Sequence, residues 1–102
     1  MKARTLQLAL KAEYFHAIKA GTKTEEYRLA NAFWRKRLGG KKFDRVVLTL
    51  GYPSRRDHAR RIVKPWRGMR TTEIRHPLFG SKPVQVFAID VSAPAMNEQA
   101  PS

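Results

Sequence analysis

Three side chains that could share one chemical task stand close together in the chain. Lys23, Glu26 and Arg28 follow Gly21 in the segment GTKTEEYR. Side chains two residues apart in a strand point to the same face, so Glu26 and Arg28 would lie side by side, with Lys23 at the preceding turn. The two cations would then bind a phosphate or a base edge, and the carboxylate would orient Arg28 or accept a hydrogen bond from an amino group. The alternative interpretation is a surface ion pair that contributes ~0–1 kcal/mol to stability and has no function.

The sequence offers little for metal-dependent or nucleophilic catalysis. It contains no cysteine, which excludes a thiolate metal site and a cysteine nucleophile. The three histidines, His16, His58 and His76, are far apart, and we assign His16 to a structural role on a helix. The Gly39-Gly40 pair has neither the spacing nor the Ser or Thr of a phosphate-binding loop. We therefore expect no metal and no cofactor.

The elements that must position these residues can be predicted from periodicity. Leu6, Leu8 and Leu10 alternate, which is typical of a strand with one buried face. A helix over residues 12–20 closes at Gly21, and a second short helix over residues 32–38 is capped by Asn31. Further strands are expected over residues 24–29, 45–50, 60–63, 71–74 and 84–91.

This order of elements has too few helices for a doubly wound parallel sheet. It predicts an α+β fold, a small β-barrel or curved mixed sheet with two short helices. A chain of 102 residues allows one domain, which we place in residues 1–92, with residues 93–102 as a disordered tail. No apolar run is long enough to cross a membrane and the first residues do not resemble a signal peptide, so we expect a cytoplasmic protein.

The charge balance points to an anionic partner. Lys and Arg number 21 against 8 Asp and Glu, a formal net charge of +13, and a nucleic acid would relieve the resulting self-repulsion. Basic residues concentrate in residues 35–42 and 55–75, interleaved with aromatic side chains as in surfaces that hold phosphates and stack bases. Trp34 is assigned to the core. The residues that we assign to nucleic-acid binding are Lys23, Arg28, Tyr52, Arg55, Arg56, Arg60, Arg61, Lys64, Trp66 and Arg67.

The run AIKAGTKTEEYR resembles the GxKxxExR motif of ASCH domains, which are small barrels of the PUA-like superfamily. The runs VVLTLGY and VQVFAIDV stand where that family places barrel strands, so the resemblance covers most of the chain before the tail. It implies a PUA-like barrel with a cleft at the motif, which is proposed for the family to bind RNA or modified nucleosides. Gly21, Lys23, Glu26 and Arg28 would be the motif positions, and Tyr52 would lie on the rim of the cleft.

The same resemblance keeps an enzymatic function open. Some ASCH-like proteins are amidohydrolases of an acylated cytidine that use a Lys and a Thr two residues before the motif Arg; here Lys23 is present, but Glu26 replaces the Thr. Other members are ribonucleases, which would make Glu26 a base, Lys23 the stabiliser of the phosphorane and His58 or His76 the acid. We favour RNA binding through a basic cleft, and the alternative is a small metal-independent hydrolase with Lys23 and Glu26 as catalytic residues.

Overall fold

The computed structural model describes residues 4–77 and 80–96, which contain two α-helices and six strands. The helices are α1 (Ala12–Lys19) and α2 (Ala32–Leu38). The strands are β1 (Thr5–Leu10), β2 (Glu25–Leu29), β3 (Arg45–Leu50), β4 (Arg61–Pro65), β5 (Met69–Ile74) and β6 (Val84–Asp90). A 3-10 helix, His58–Arg60, precedes β4. The class is α+β, as the order of elements predicts.

The strands form two three-stranded sheets. The first has the order β1-β3-β4, in which β1 and β3 are parallel and β3 and β4 antiparallel. The parallel pair requires a long connection, and α1, β2 and α2 provide it. The second sheet has the order β2-β6-β5 and is antiparallel throughout. Within the described ranges the strand pairing leaves these as two separate sheets and does not close a barrel.

The hydrophobic core follows from the alternation of apolar side chains. Leu6, Leu8 and Leu10 of β1 are all buried, while Thr5 before them and Gln7 between Leu6 and Leu8 are exposed. The central strand β6 is buried over four consecutive residues, and because side chains alternate between the two faces of a strand, both of its faces are covered there. The core cluster consists of Leu6, Leu8, Leu10, Phe15, Ile18, Leu38, Val46, Leu48, Ile62, Phe87, Ile89 and Val91.

Local signals in the sequence define both helices. Asn31 caps α2 through its side-chain oxygen, which accepts a hydrogen bond from the main-chain N–H of Trp34 at 3.0 Å. Trp34 is half-buried and packs against the core, as expected. His16 lies on the exposed side of α1, with its ring edge-on to that of Phe15 at 5.5 Å between centroids.

The folded part of the chain extends beyond residue 92. Ala93 is only 4% exposed, and the main-chain N–H of Met96 donates to the carbonyl oxygen of Val63 at 2.6 Å. Residues 93–96, which the sequence predicts to be part of a disordered tail, therefore pack against the domain. The rest of that predicted tail, residues 97–102, lies outside the described residues. None of the described helices has the length and apolar character needed to span a membrane.

Candidate functional site

The turn between α1 and β2 fixes the position of Lys23. The main-chain N–H groups of Thr22 and Lys23 both donate to the carbonyl oxygen of Ala17, at 3.0 and 3.1 Å. Gly21 permits this tight reversal because it has φ +82°, a conformation that side chains disfavour. Lys23 is therefore held at the turn, two residues before β2, as the sequence predicts.

Glu26 and Arg28 lie on the inner face of β2. In the antiparallel register Glu26 is opposite Ile89 and Arg28 is opposite Phe87, and both of these β6 residues belong to the core. The side chain of Glu26 is only 8% exposed and that of Arg28 is 21% exposed. The charged pair is therefore largely removed from water, which the interpretation as a surface ion pair does not allow.

The guanidinium of Arg28 is held from several sides. Its Nη2 atom donates to Glu26 Oε2 at 2.9 Å and to the carbonyl oxygen of Ala9 at 3.1 Å. Its Cζ atom lies 5.2 Å from the centroid of the Trp34 ring, within the range of a cation–π contact. Its buried Nε atom has no hydrogen-bond partner among the described residues, and its Nη1 atom donates no hydrogen bond to any of them. One terminal nitrogen of Arg28 thus remains available to a ligand.

The ammonium of Lys23 completes the cluster. It lies 3.9 Å from Glu26 Oε1, which is longer than a hydrogen bond, so Oε1 can still accept one from another donor. It also lies 4.6 Å from the ring centroid of Tyr27 and 5.4 Å from that of Tyr14. Two aromatic rings therefore flank the charged group.

A cleft of about 560 Å³ contains all three side chains. It opens where β1 and β2, each at the edge of its own sheet, approach each other, and the end of β5 completes it. The lining residues are Ala9, Leu10, Lys11, Tyr14, Lys23, Glu26, Tyr27, Arg28, Ile74, Arg75 and His76. Four cationic side chains (Lys11, Lys23, Arg28 and Arg75) face one carboxylate, so the cleft favours an anionic ligand.

Burial changes the acidity of Glu26. Loss of contact with water raises the pKa of its carboxyl group above the ordinary value, and this outweighs the opposite effects of the charges of Arg28 and Lys23. A raised carboxyl pKa inside a cleft is typical of groups that exchange protons with a ligand or substrate.

Five of the other predicted binding residues lie on the surface outside the cleft lining. Tyr52, which the resemblance places on the cleft rim, follows β3 and is 93% exposed. Arg55, Arg56 and Arg67 are also exposed. Arg60 is exposed and pairs with Asp57 at 3.4 Å.

The remaining three predicted binding residues take part in holding the fold. Arg61 Nη2 donates to the carbonyl oxygens of Pro53 and Ser54, both at 3.1 Å. Lys64 is 6% exposed, and its ammonium donates to the carbonyl oxygen of Val91 at 2.6 Å. Trp66 is half-buried and packs edge-on against the ring of Phe43, with 5.1 Å between centroids.

Several cleft residues were not assigned to a site from sequence. Lys11 and Tyr14 come from the start of α1, and Arg75 follows β5. Tyr14 has the spacing of a core residue of α1, and it packs against the core as well as lining the cleft. Of the two histidines considered as an acid, His76 lines the cleft and His58 does not.

Within the described part of the chain, no three His, Asp or Glu side chains come together in a group that could hold a metal ion. Comparison with known proteins adds no relative, because no family model, curated protein or solved structure matches this chain.

Proposed function

We propose that this protein binds RNA. We also propose that it is an ASCH-like domain, in which the two sheets together form a PUA-like architecture. The observation that carries the proposal is the convergence of Lys23, Glu26 and Arg28 in a cleft lined by four cations and one carboxylate. The GxKxxExR resemblance names these same three positions. A volume of about 560 Å³ is typical of small-ligand sites and suits one nucleotide.

The cleft offers a different kind of contact to each part of a nucleotide. Lys11, Lys23 and Arg28 would hold a phosphate, because their charges exceed what the single carboxylate neutralises. Glu26 Oε1 would accept a hydrogen bond from a base amino group, and Tyr14 or Tyr27 would stack on the base. A base bound in this way must be unpaired, so the expected ligand is single-stranded RNA.

Fluorescence anisotropy with labelled single-stranded RNA, duplex RNA and duplex DNA across a salt series tests this proposal. If about five phosphates are contacted, the slope of log affinity against log salt is about −3.5 for single strands. Lys23→Gln should weaken binding to single-stranded RNA at least tenfold. Arg56→Gln removes one equal charge from the exposed surface outside the cleft and should change the affinity less than twofold.

Two results would contradict the proposal. The first is binding that is equal for all three nucleic acids and indifferent to Lys23, which would mean that the charge of +13 alone explains the affinity. The second is an affinity that does not change with salt, because phosphate contacts release counterions.

A hydrolase is the second candidate, favoured by the buried Glu26 carboxyl with its raised pKa beside the Lys23 ammonium. In a ribonuclease Glu26 would act as the base, Lys23 would stabilise the phosphorane, and His76 would be the acid. The protein should be incubated with labelled single-stranded RNA and with acylated cytidine in the presence of a chelator. Turnover lost in both Glu26→Gln and Lys23→Gln supports an enzyme, whereas turnover that survives both substitutions indicates a contaminant.

A further inference from the structure

The two basic segments of the chain differ in what their side chains already do. In the segment from residue 55 to residue 67, Arg60 pairs with Asp57, Arg61 holds the preceding loop, and Lys64 is buried against the carbonyl of Val91. Only part of that segment's positive charge is therefore offered to a partner.

The second basic surface, which we call the α2 surface, consists of Lys36, Arg37, Lys41 and Lys42. All four side chains are exposed, and within the described residues none of them forms an ion pair with a carboxylate. The sequence has no Asp or Glu between Glu26 and Asp44, and Asp44 itself accepts a hydrogen bond from the main-chain N–H of Arg4 at 2.7 Å.

The helix dipole accounts for only part of this charge. Lys36 and Arg37 lie in the last turn of α2, where cations interact favourably with the helix dipole. Lys41 and Lys42 follow Gly40 outside the helix, beyond the reach of that effect. Four exposed like charges at one end of a short helix repel each other, and a bound polyanion would relieve the repulsion.

Trp34 connects the α2 surface to the cleft. Its ring centroid lies 5.2 Å from Cζ of Arg28 in the cleft and 5.8 Å from Cζ of Arg37 on α2. One indole thus contacts a guanidinium of the cleft and a guanidinium of the α2 surface, so cations of the two surfaces lie on the same ring. Phe33, beside Trp34 and 64% exposed, offers a ring on which a base can stack.

We propose that the α2 surface binds the continuation of a single-stranded RNA whose one unpaired nucleotide occupies the cleft. This inference rests on the proposed function and extends it, because it makes the ligand a strand and not a free nucleotide. The phosphates that leave the cleft pass Trp34, which contacts Arg28, and are held by Arg37, Lys41 and Lys42.

Binding of a two-nucleotide and a twelve-nucleotide RNA to paired variants tests the inference. The first variant combines Arg37→Gln, Lys41→Gln and Lys42→Gln. The control combines Arg55→Gln, Arg56→Gln and Arg67→Gln, which removes the same charge from exposed side chains that form no hydrogen bond or ion pair within the described residues. The α2 variant should lose at least tenfold in affinity for the long RNA and have a salt slope shallower by about 2, because three phosphate contacts disappear. Its affinity for the short RNA should stay within twofold, as should both affinities of the control.

The possible failures are distinguishable. Equal losses in the two variants, or a wild-type affinity that does not increase with RNA length, would overturn the role of the α2 surface while leaving the cleft proposal intact. Binding of both RNAs that is indifferent to Lys23→Gln would overturn the proposed function and this inference together. Because Arg37 contacts Trp34, the double variant Lys41→Gln/Lys42→Gln, outside the helix, serves as a second test and should weaken only the long RNA.

Discussion

The guanidinium of Arg28 joins the two sheets of the protein, because its Nη2 atom donates to the carbonyl oxygen of Ala9 at 3.1 Å. Ala9 lies on β1, an edge strand of the first sheet, and Arg28 lies on β2, an edge strand of the second. The same nitrogen also holds the Glu26 carboxylate at 2.9 Å. Arg28 therefore belongs both to the cleft and to the junction of the two sheets, so changes at Arg28 should affect stability as well as the proposed binding.

Arg28→Ala should destabilise the protein by about 2 kcal/mol, because it removes charge-assisted hydrogen bonds and leaves a buried carboxylate with a weaker partner. Arg70 provides the control, since it makes two hydrogen bonds to Glu25, at 2.9 and 3.0 Å, on the exposed face of the same sheet. Arg70→Ala should leave stability unchanged, because exposed ion pairs contribute little. Urea unfolding measures both, and equal losses would show that Arg28 has no special role at the junction.

Glu26→Gln should change how stability depends on pH. A carboxyl group whose pKa is raised on folding binds protons more tightly in the folded state. Its contribution to stability therefore falls as the pH rises from its unfolded pKa through the raised folded value. As the pH rises above about 4.3, the ordinary pKa of a glutamate, the free energy of unfolding of the Gln variant should rise relative to wild type until the pH exceeds the raised folded pKa.

Chemical denaturation of both proteins at several pH values measures this difference. Glu25 and Asp90, whose pKa values are lowered by hydrogen bonds from Arg70 and Ser92, act in the opposite direction but are common to both proteins. Their effects cancel in the comparison. The difference in the free energy of unfolding could instead be constant with pH, or the Gln variant could become less stable relative to wild type as the pH rises. Either result would show that burial does not control the pKa of Glu26.

Lys64→Ala should destabilise the fold without weakening RNA binding. The substitution removes a buried stem and the donor to the carbonyl oxygen of Val91, which should lower the free energy of unfolding by about 2 kcal/mol. Arg67→Ala, at an exposed position of the same segment, should leave stability unchanged. If the folded Lys64 variant binds single-stranded RNA tenfold more weakly than wild type, its side chain is part of the interface after all.

Asn31→Ala should lower the free energy of unfolding by about 1 kcal/mol, because the N–H of Trp34 loses its side-chain acceptor. Asn31→Ser keeps an oxygen at the cap and should recover most of the stability. Thermal unfolding followed by circular dichroism measures the series. Equal stabilities for the Ala and Ser variants would mean that the cap does not stabilise α2.

The main elements could be predicted from sequence because local signals define them. The alternating leucines of β1, the cap at Asn31 and the glycine after α1 all act within a few residues, and the structure confirms them. Prediction was less accurate for β4 and β5, which are longer because pairing with β3 and β6 extends them. Pro65 has no N–H group, and it ends β4 without the loss of a hydrogen bond between strands because β4 is an edge strand.

The arrangement of the site could be predicted only in part. The alternation of β2 predicts that Glu26 and Arg28 share a face, and the structure confirms it. Their burial depends on which sheet covers that face. The carbonyl oxygen that accepts the hydrogen bond from Arg28 belongs to Ala9, 19 residues away. In the same way, the basic segment around Lys64 predicts a surface cation. The carbonyl oxygen that accepts its hydrogen bond, however, belongs to Val91, 27 residues away. Periodicity does not report contacts at such separations.

We propose that RNA binds in the cleft at Lys23, Glu26 and Arg28. Nuclear magnetic resonance mapping of backbone amides during titration with a short single-stranded RNA tests it most directly. If RNA binds there, the largest shift changes should cluster at residues 9–11, 23–28 and 74–76, with a second group on α2 only when the RNA is long. Changes centred on residues 55–67, or spread evenly over the basic surface, would contradict it.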